Sequence, residues 1–189
     1  PRRHNPERPR QLAETVRPAD TTLAVKLTLP TGEEIFLSKT ERRDIVADSG
    51  TVAKVDHSGL AYKPQTTDTD SVVYHELSVP RGSDFFLELS DGTRLWLNAE
   101  TTVRYPVRFA RGERRIFVDG EAYLEVKRDT ASPFSVMLAG SEITVLGTSF
   151  NVNSYPERSE AQVTLVSGKV NVRDSESGKG LTLRPGEQA

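Results

Sequence analysis

LTLPTGEEIFL (Leu27 to Leu37) and LELSDGTRLWL (Leu87 to Leu97) are two writings of one hairpin, sixty residues apart. Each has an alternating apolar run, a three-residue loop ending in glycine, and a second alternating run. In a loop built from a type I turn and a left-handed residue, the left-handed position is the third. Gly32 and Gly92 occupy it, and Pro30 brings the fixed φ suited to position i+1 of the turn. Closure this way sets Leu27 opposite Ile35 and Val25 opposite Leu37. In the second copy it sets Leu87 opposite Leu95 and Phe85 opposite Leu97. Each hairpin therefore carries one continuous apolar face. A chain that repeats this unit is strand-built, and the duplication points to a scaffold rather than a reaction centre.

The 189 residues suffice for one sizeable domain or two small ones, and 35% hydrophobic content supports a core. A net charge of -2 with a pI near 6.0 gives no uniform basic field, which argues against a protein that tracks duplex phosphates. Cysteine is absent, so disulfides and thiolate metal sites are excluded, while cytoplasm and periplasm stay equally open. No apolar run approaches the roughly 18 residues needed to cross a bilayer. The chain opens on Pro1, as a fragment or mature form of something longer does.

Residues 1–21 read as a linker: the first twenty hold four prolines and five arginines and no apolar period. Arg2, Arg3, Arg8 and Arg10 suit a solvated tether, or a basic stretch beside an anionic membrane surface. Residues 22–71 form a small β region, with the first hairpin, a second turn at Ser49 and Gly50, and the polar spacer KPQTTDTDS (Lys63 to Ser71). About fifty residues bury too little surface to be comfortable alone, so this region is expected to pack on the rest or extend its sheet. Residues 72–189 carry a dense strand series. VTLVSGKVNV (Val163 to Val172) predicts a hairpin around Ser167-Gly168, pairing Leu165 with Val170 and Val163 with Val172. IFVDGEAYLEV (Ile116 to Val126) suggests a turn at Asp119-Gly120 whose register stays open. In SEITVLGTSFNVNSY, Leu146, Thr148, Phe150 and Val152 alternate with Ile143, Val145 and Gly147, as in a central strand covered on both sides. Short strands with Gly-centred turns argue for a sandwich or barrel.

Few residues invite chemistry. His4, His57 and His75 have no acidic partner at ligand spacing, so neither a metal site nor a triad is expected from them. Glu121, Tyr123 and Glu125 share one strand face; two carboxylates in line could form a glycosidase pair, but a solvated or arginine-neutralised face is the expectation. Arg104, Arg108, Arg111, Arg114 and Arg115 are interleaved with Tyr105, Phe109 and Phe117. That pattern suits intramolecular ion pairs or a protein contact better than single-stranded nucleic acid. Trp96 points away from the face of Leu95 and Leu97. It is expected in the core if both hairpin faces are covered; if the outer face is bare, it is a partner anchor. At Gly147-Thr148 a threonine hydroxyl could attack the preceding carbonyl, given backbone strain. The same dipeptide stands in turns at Gly50-Thr51 and Gly92-Thr93, where no scission is expected.

From VPRGS (Val79 to Ser83) to the C-terminus the chain resembles the periplasmic domain of FecR-type transmembrane anti-sigma factors, the ferric citrate regulator family. The matching words are DGTRLWLNAET (Asp91 to Thr101), YPVRF (Tyr105 to Phe109), GEAYLEV (Gly120 to Val126), PFSV (Pro133 to Val136), VLGTSFNVNSY (Val145 to Tyr155), VTLVSGKVNV and LRPGEQA (Leu183 to Ala189). The preceding region, with GLAY (Gly59 to Tyr62), resembles the extension found in the glycan-uptake and iron-uptake branch. The resemblance implies a regulator with a cytoplasmic domain holding an extracytoplasmic-function sigma factor, one transmembrane helix, and a periplasmic part. That part receives a message from the signalling domain of a TonB-dependent outer-membrane transducer. Some members cut themselves at a Gly-Thr bond in a segment matching LGTSF, which directs attention to Gly147 and Thr148.

These readings converge on an all-β, jelly-roll-like antiparallel sandwich with the N-terminal hairpin region packed against it. Its expected role is a periplasmic signal-transmitting module, anchored to the inner membrane in the full protein, with no cofactor, no metal and no external substrate. Trp96, Arg104 and Arg108 are the candidate partner contacts. A carbohydrate-binding jelly roll using Trp96, Tyr105 and Tyr123 is the alternative, and a glycosidase using Glu121 and Glu125 a third reading.

Overall fold

The computed structural model describes residues 24–47, 51–64, 72–158 and 160–189. The arginine-rich 1–21 segment with His4, the Ser49-Gly50 turn and most of the 63–71 spacer lie outside these residues. In chain order the strands are β1 (Val25–Thr28), β2 (Glu34–Leu37), β3 (Arg43–Ala47), β4 (Thr51–Asp56), β5 (Gly59–Tyr62) and β6 (Tyr74–Ser78). Then come β7 (Phe85–Glu88), β8 (Arg94–Leu97), β9 (Thr102–Pro106), β10 (Arg114–Glu125) and β11 (Phe134–Leu138). The last are β12 (Ser141–Val145), β13 (Ser149–Ser154), β14 (Gln162–Ser167), β15 (Val170–Asp174) and β16 (Gly180–Leu183). No helix occurs among the described residues.

Both hairpins close as their loop chemistry requires. Gly32 and Gly92 take φ of 84° and 85°, and their amides donate to the carbonyls of Leu29 and Leu89, each at 2.9 Å. The registers pair Val25 with Leu37 and Leu27 with Ile35, and Phe85 with Leu97 and Leu87 with Leu95. Repetition does not place them side by side. The first hairpin belongs to a sheet ordered β2-β1-β6-β9-β10-β11-β12-β15-β16, the second to one ordered β3-β4-β5-β7-β8-β10-β13-β14. The inner faces of both sheets meet in a single core.

The all-β, sandwich-like expectation holds, with a difference in pairing: β10–β11 and β5–β7 run parallel, in ladders otherwise antiparallel. Three local readings are corrected. Asp119-Gly120 is not a turn but the place where one continuous strand passes between sheets. Residues 114–119 of β10 pair with β11 and β9 in the first sheet, and residues 120–125 with β13 and β8 in the second. Gly120 takes φ 113°, and a Cβ there would stand 2.6 Å from Thr101 Oγ1. That hydroxyl accepts from the Glu121 amide at 3.0 Å and donates to the Glu121 carbonyl at 3.1 Å, pinning the bend.

Residues 163–172 are not a hairpin. β14 pairs with β13, and β15 with β12 and β16, so Ser167-Gly168 carries the chain across the sandwich. The 141–155 segment likewise is two strands in two sheets, with Leu146-Gly147-Thr148 as the crossing. Alternation along each half remains, because both inner faces look into the same core.

The N-terminal region extends both sheets. β1 adds to β6 over three residue pairs, and β5 adds to β7 over two. Across the core, the Tyr62 hydroxyl of β5 lies 2.7 Å from His75 Nδ1 of β6 and 3.0 Å from the Tyr105 hydroxyl of β9. Burial pushes both phenols above the ordinary tyrosine range.

Candidate functional site

Strand alternation that buries Leu95, Leu97, Ala122 and Leu124 turns Trp96 and Tyr123 to the opposite, outer face of the second sheet. Of the two placements left open for Trp96, the core one is therefore overturned: the residue is 39% exposed. Cross-strand register sets it between Phe86 of β7 and Tyr123 of β10. The ring centroids are 5.2 Å and 5.6 Å apart, at tilts of 58° and 49°. Three aromatic rings thus form a rung across three strands, and Asn151 of β13 continues it beside Tyr123.

Polar rungs border it on both sides. Two residues along the strands, Glu121 accepts from Asn98 Nδ2 at 3.1 Å and from Asn151 Nδ2 at 3.2 Å. In the other direction Arg94 stands between Glu88 and Glu125 in register and closes to 3.0 Å on Glu125. Glu121, Tyr123 and Glu125 do share one face; Arg94 neutralises Glu125, as the arginine-neutralised reading expects, whereas Glu121 is held by two neutral amides. At the Phe86 end lies a cleft of about 420 Å³ lined by Lys39, His57, Ser58, Asp84, Phe86 and Trp96, among others. Its wall depends on Gly59: a Cβ there would fall 2.1 Å from the Phe86 carbonyl oxygen, so only glycine lets the His57-Ser58 turn settle onto β7. Lys39 and Asp84 pair across the cleft at 2.9 Å.

The other proposed contacts are not gathered here. Arg104 is exposed on the outer face of the first sheet, its guanidinium 4.3 Å from the Tyr74 ring centre and 5.3 Å from that of Phe117. Arg108 is half-buried beyond the end of β9. Arg114, from the same basic cluster, is a structural staple. It is 4% exposed, pairs with Asp91 at 2.9 Å, and donates to the carbonyls of Ser132 and Lys127 at 2.8 Å each. Tyr105 cannot serve as a sugar platform because it is fully buried. Sequence reading missed Phe86, Asn98 and Asn151. The hairpin register itself places Phe86 opposite Trp96 and could have supplied it.

Gly147 and Thr148 sit where the two sheet crossings touch. Gly147 takes φ 155°, and a Cβ would meet the Arg128 Cα at 2.6 Å. Thr148 is buried, and its hydroxyl donates to the Lys169 carbonyl at 3.0 Å. A Cβ on Gly168 would stand 2.8 Å from that hydroxyl oxygen. His57 is exposed in the β4–β5 turn, whereas His75 is buried in the core. Among the described residues no group of three or more His, Cys, Asp or Glu could hold a metal ion.

Comparison with known proteins matches the "FecR protein" family model over residues 75–171, just over half of the chain. Two crystal structures, each of a candidate anti-sigma factor from Parabacteroides distasonis ATCC 8503, are similar to it. One is 39% identical, with a TM-score of 0.58, covering 61% of this chain and 53% of that one. The other is 40% identical, with a TM-score of 0.57, covering 60% and 52%. The chain spans about half the length of these proteins. A comparison with curated proteins gave no match.

Proposed function

The chain belongs to the FecR protein family, and on that premise we propose that it is the periplasmic, signal-transmitting module of an anti-sigma factor. In this reading the whole protein is anchored in the inner membrane. It couples the signalling domain of a TonB-dependent outer-membrane transducer to an extracytoplasmic-function sigma factor, and so controls nutrient-uptake genes. The family match is the observation that carries the reading; the likeness to crystal structures of candidate anti-sigma factors supports it. The fold suits transmission, because one strand, β10, belongs to both sheets and makes the sandwich respond as a unit.

The test is a sigma-dependent reporter in cells carrying the full-length protein, with residues 75–171 excised in frame. The expected result is a reporter that no longer responds to transducer stimulation while the sigma factor still binds the cytoplasmic part. An unchanged response would sink the proposal.

The module turns over no external substrate in this reading. A narrower second reading concerns the Gly147-Thr148 bond, favoured by the positive φ of Gly147 at a crowded crossing. The Thr148 hydroxyl would add to the Gly147 carbonyl carbon as the C–N bond breaks and nitrogen takes the proton. Water would then cleave the resulting ester. Intact mass decides: two fragments meeting at this bond establish the step, and one species of 20.9 kDa assigns the glycine to packing alone.

A further inference from the structure

We propose that the outer face of the second sheet is a binding site for a neutral oligosaccharide, seated on Trp96 and Tyr123 with its end in the cleft at Phe86. This does not depend on the signalling role proposed above.

The arrangement of rungs carries the inference. A sugar ring offers axial C–H groups to an aromatic face and hydroxyls around its rim, so its site needs an apolar floor with polar groups at the edges. Here the floor is the Phe86-Trp96-Tyr123 rung, at centroid spacings of 5.2 Å and 5.6 Å. It crosses three strands, roughly 10 Å at the usual strand spacing, room for two stacked pyranoses. The bordering rungs lie two residues away along each strand, about 7 Å from the aromatic line. Their planar amide and carboxylates, Asn98 and Glu121 on one side and Glu125 on the other, can meet hydroxyls from both flanks, and Asn151 offers a further amide at the Tyr123 end of the aromatic line.

Charge selects the class of ligand. Arg94 is committed to Glu125 and Lys39 to Asp84, and Glu121 is held by two neutral amides. These pairs offer a phosphate or an acidic sugar no unmatched cation. The Lys39-Asp84 cleft closes one end of the line, which favours a chain terminus there and continuation of the glycan past Tyr123 toward Asn151.

An array of neutral and acidic oligosaccharides probed with the purified 189-residue protein tests this, followed by titration of any captured glycan while tryptophan fluorescence is read. Trp96 is the only tryptophan, so the signal reports this face directly. The expected result is saturable binding of a neutral glycan. Trp96→Ala and Tyr123→Ala should each weaken it by about tenfold, equivalent to about 1.4 kcal/mol, with array capture or calorimetry replacing fluorescence for the first. Trp96→Tyr should retain most of the affinity, and Tyr74→Ala, on the opposite sheet, all of it. The proposal is overturned if no neutral glycan is captured, if only acidic glycans bind, or if Trp96→Ala and Glu121→Gln both leave binding unchanged while thermal melts show folded protein.

Discussion

Arg114 shows how a charged residue in an apparently basic stretch becomes part of the interior. Its guanidinium ties the β7–β8 loop, through Asp91, to carbonyls of the 127–132 segment, and Asp91 in turn accepts from the amide and hydroxyl of Thr93. Removing one member of such a pair leaves the other charge buried and uncompensated. Arg114→Ala should therefore cost about 3–5 kcal/mol in urea unfolding, and far less when combined with Asp91→Asn. Additive losses would show that the two side chains act independently. The sequence reading allowed intramolecular ion pairs for this cluster, as Arg114 forms with Asp91, but not its burial, which depends on carbonyls that only the fold collects. The exposure of Trp96 was similarly undecided: strand parity fixed which way it points, but not whether anything lies there.

Elements divide into those whose pairing is local and those whose pairing is not. The hairpins at 27–37 and 87–97 were legible to the residue, since loop length and one glycine determine register. Residues 163–172 carry the same signs, yet β14 and β15 part into different sheets. Alternation says only that one side faces apolar surroundings, and a strand beside its neighbour or across the core from it satisfies that equally. What distinguishes Gly168 is contact: Gly92 has open space where a Cβ would go, whereas Gly168 meets the Thr148 hydroxyl. Gly92→Ala should cost about 1–2 kcal/mol, from the left-handed backbone alone. Gly168→Ala should cost distinctly more, and Thr148→Ser should not relieve it because the hydroxyl remains. Equal unfolding midpoints for Gly92→Ala and Gly168→Ala would refute the crossing contact. The same long-range dependence hid the Gly120 bend.

For the whole molecule, the buried Tyr62-His75-Tyr105 cluster joins the N-terminal extension to the family domain where the connecting ladders are short. Both phenols titrate above their ordinary value because burial penalises the phenolate. An acid whose folded-state pKa is raised contributes stability that is complete below its unfolded pKa and is lost as pH rises toward the folded one. With unfolded tyrosine near about 10, stability should hold at neutral pH and fall above about pH 10. Tyr62→Phe should lower stability at neutral pH by about 1 kcal/mol in urea unfolding and flatten the alkaline decline. Identical alkaline slopes for the two proteins would rule the cluster out as its source. Sequence reading anticipated that the extension would lean on the main body. It could not foresee a hydroxyl network across the core, whose members lie 13 and 43 positions apart.

The passage of β10 between sheets at Gly120 has a mechanical corollary. In a sandwich whose strands each stay within one sheet, backbone passes between the layers only through loops, which can flex while the layers slide. Here, besides the loop crossings at Leu146-Gly147-Thr148 and Ser167-Gly168, one strand is hydrogen-bonded into both layers, so a tug on either travels along a paired peptide chain and not only across a greasy seam.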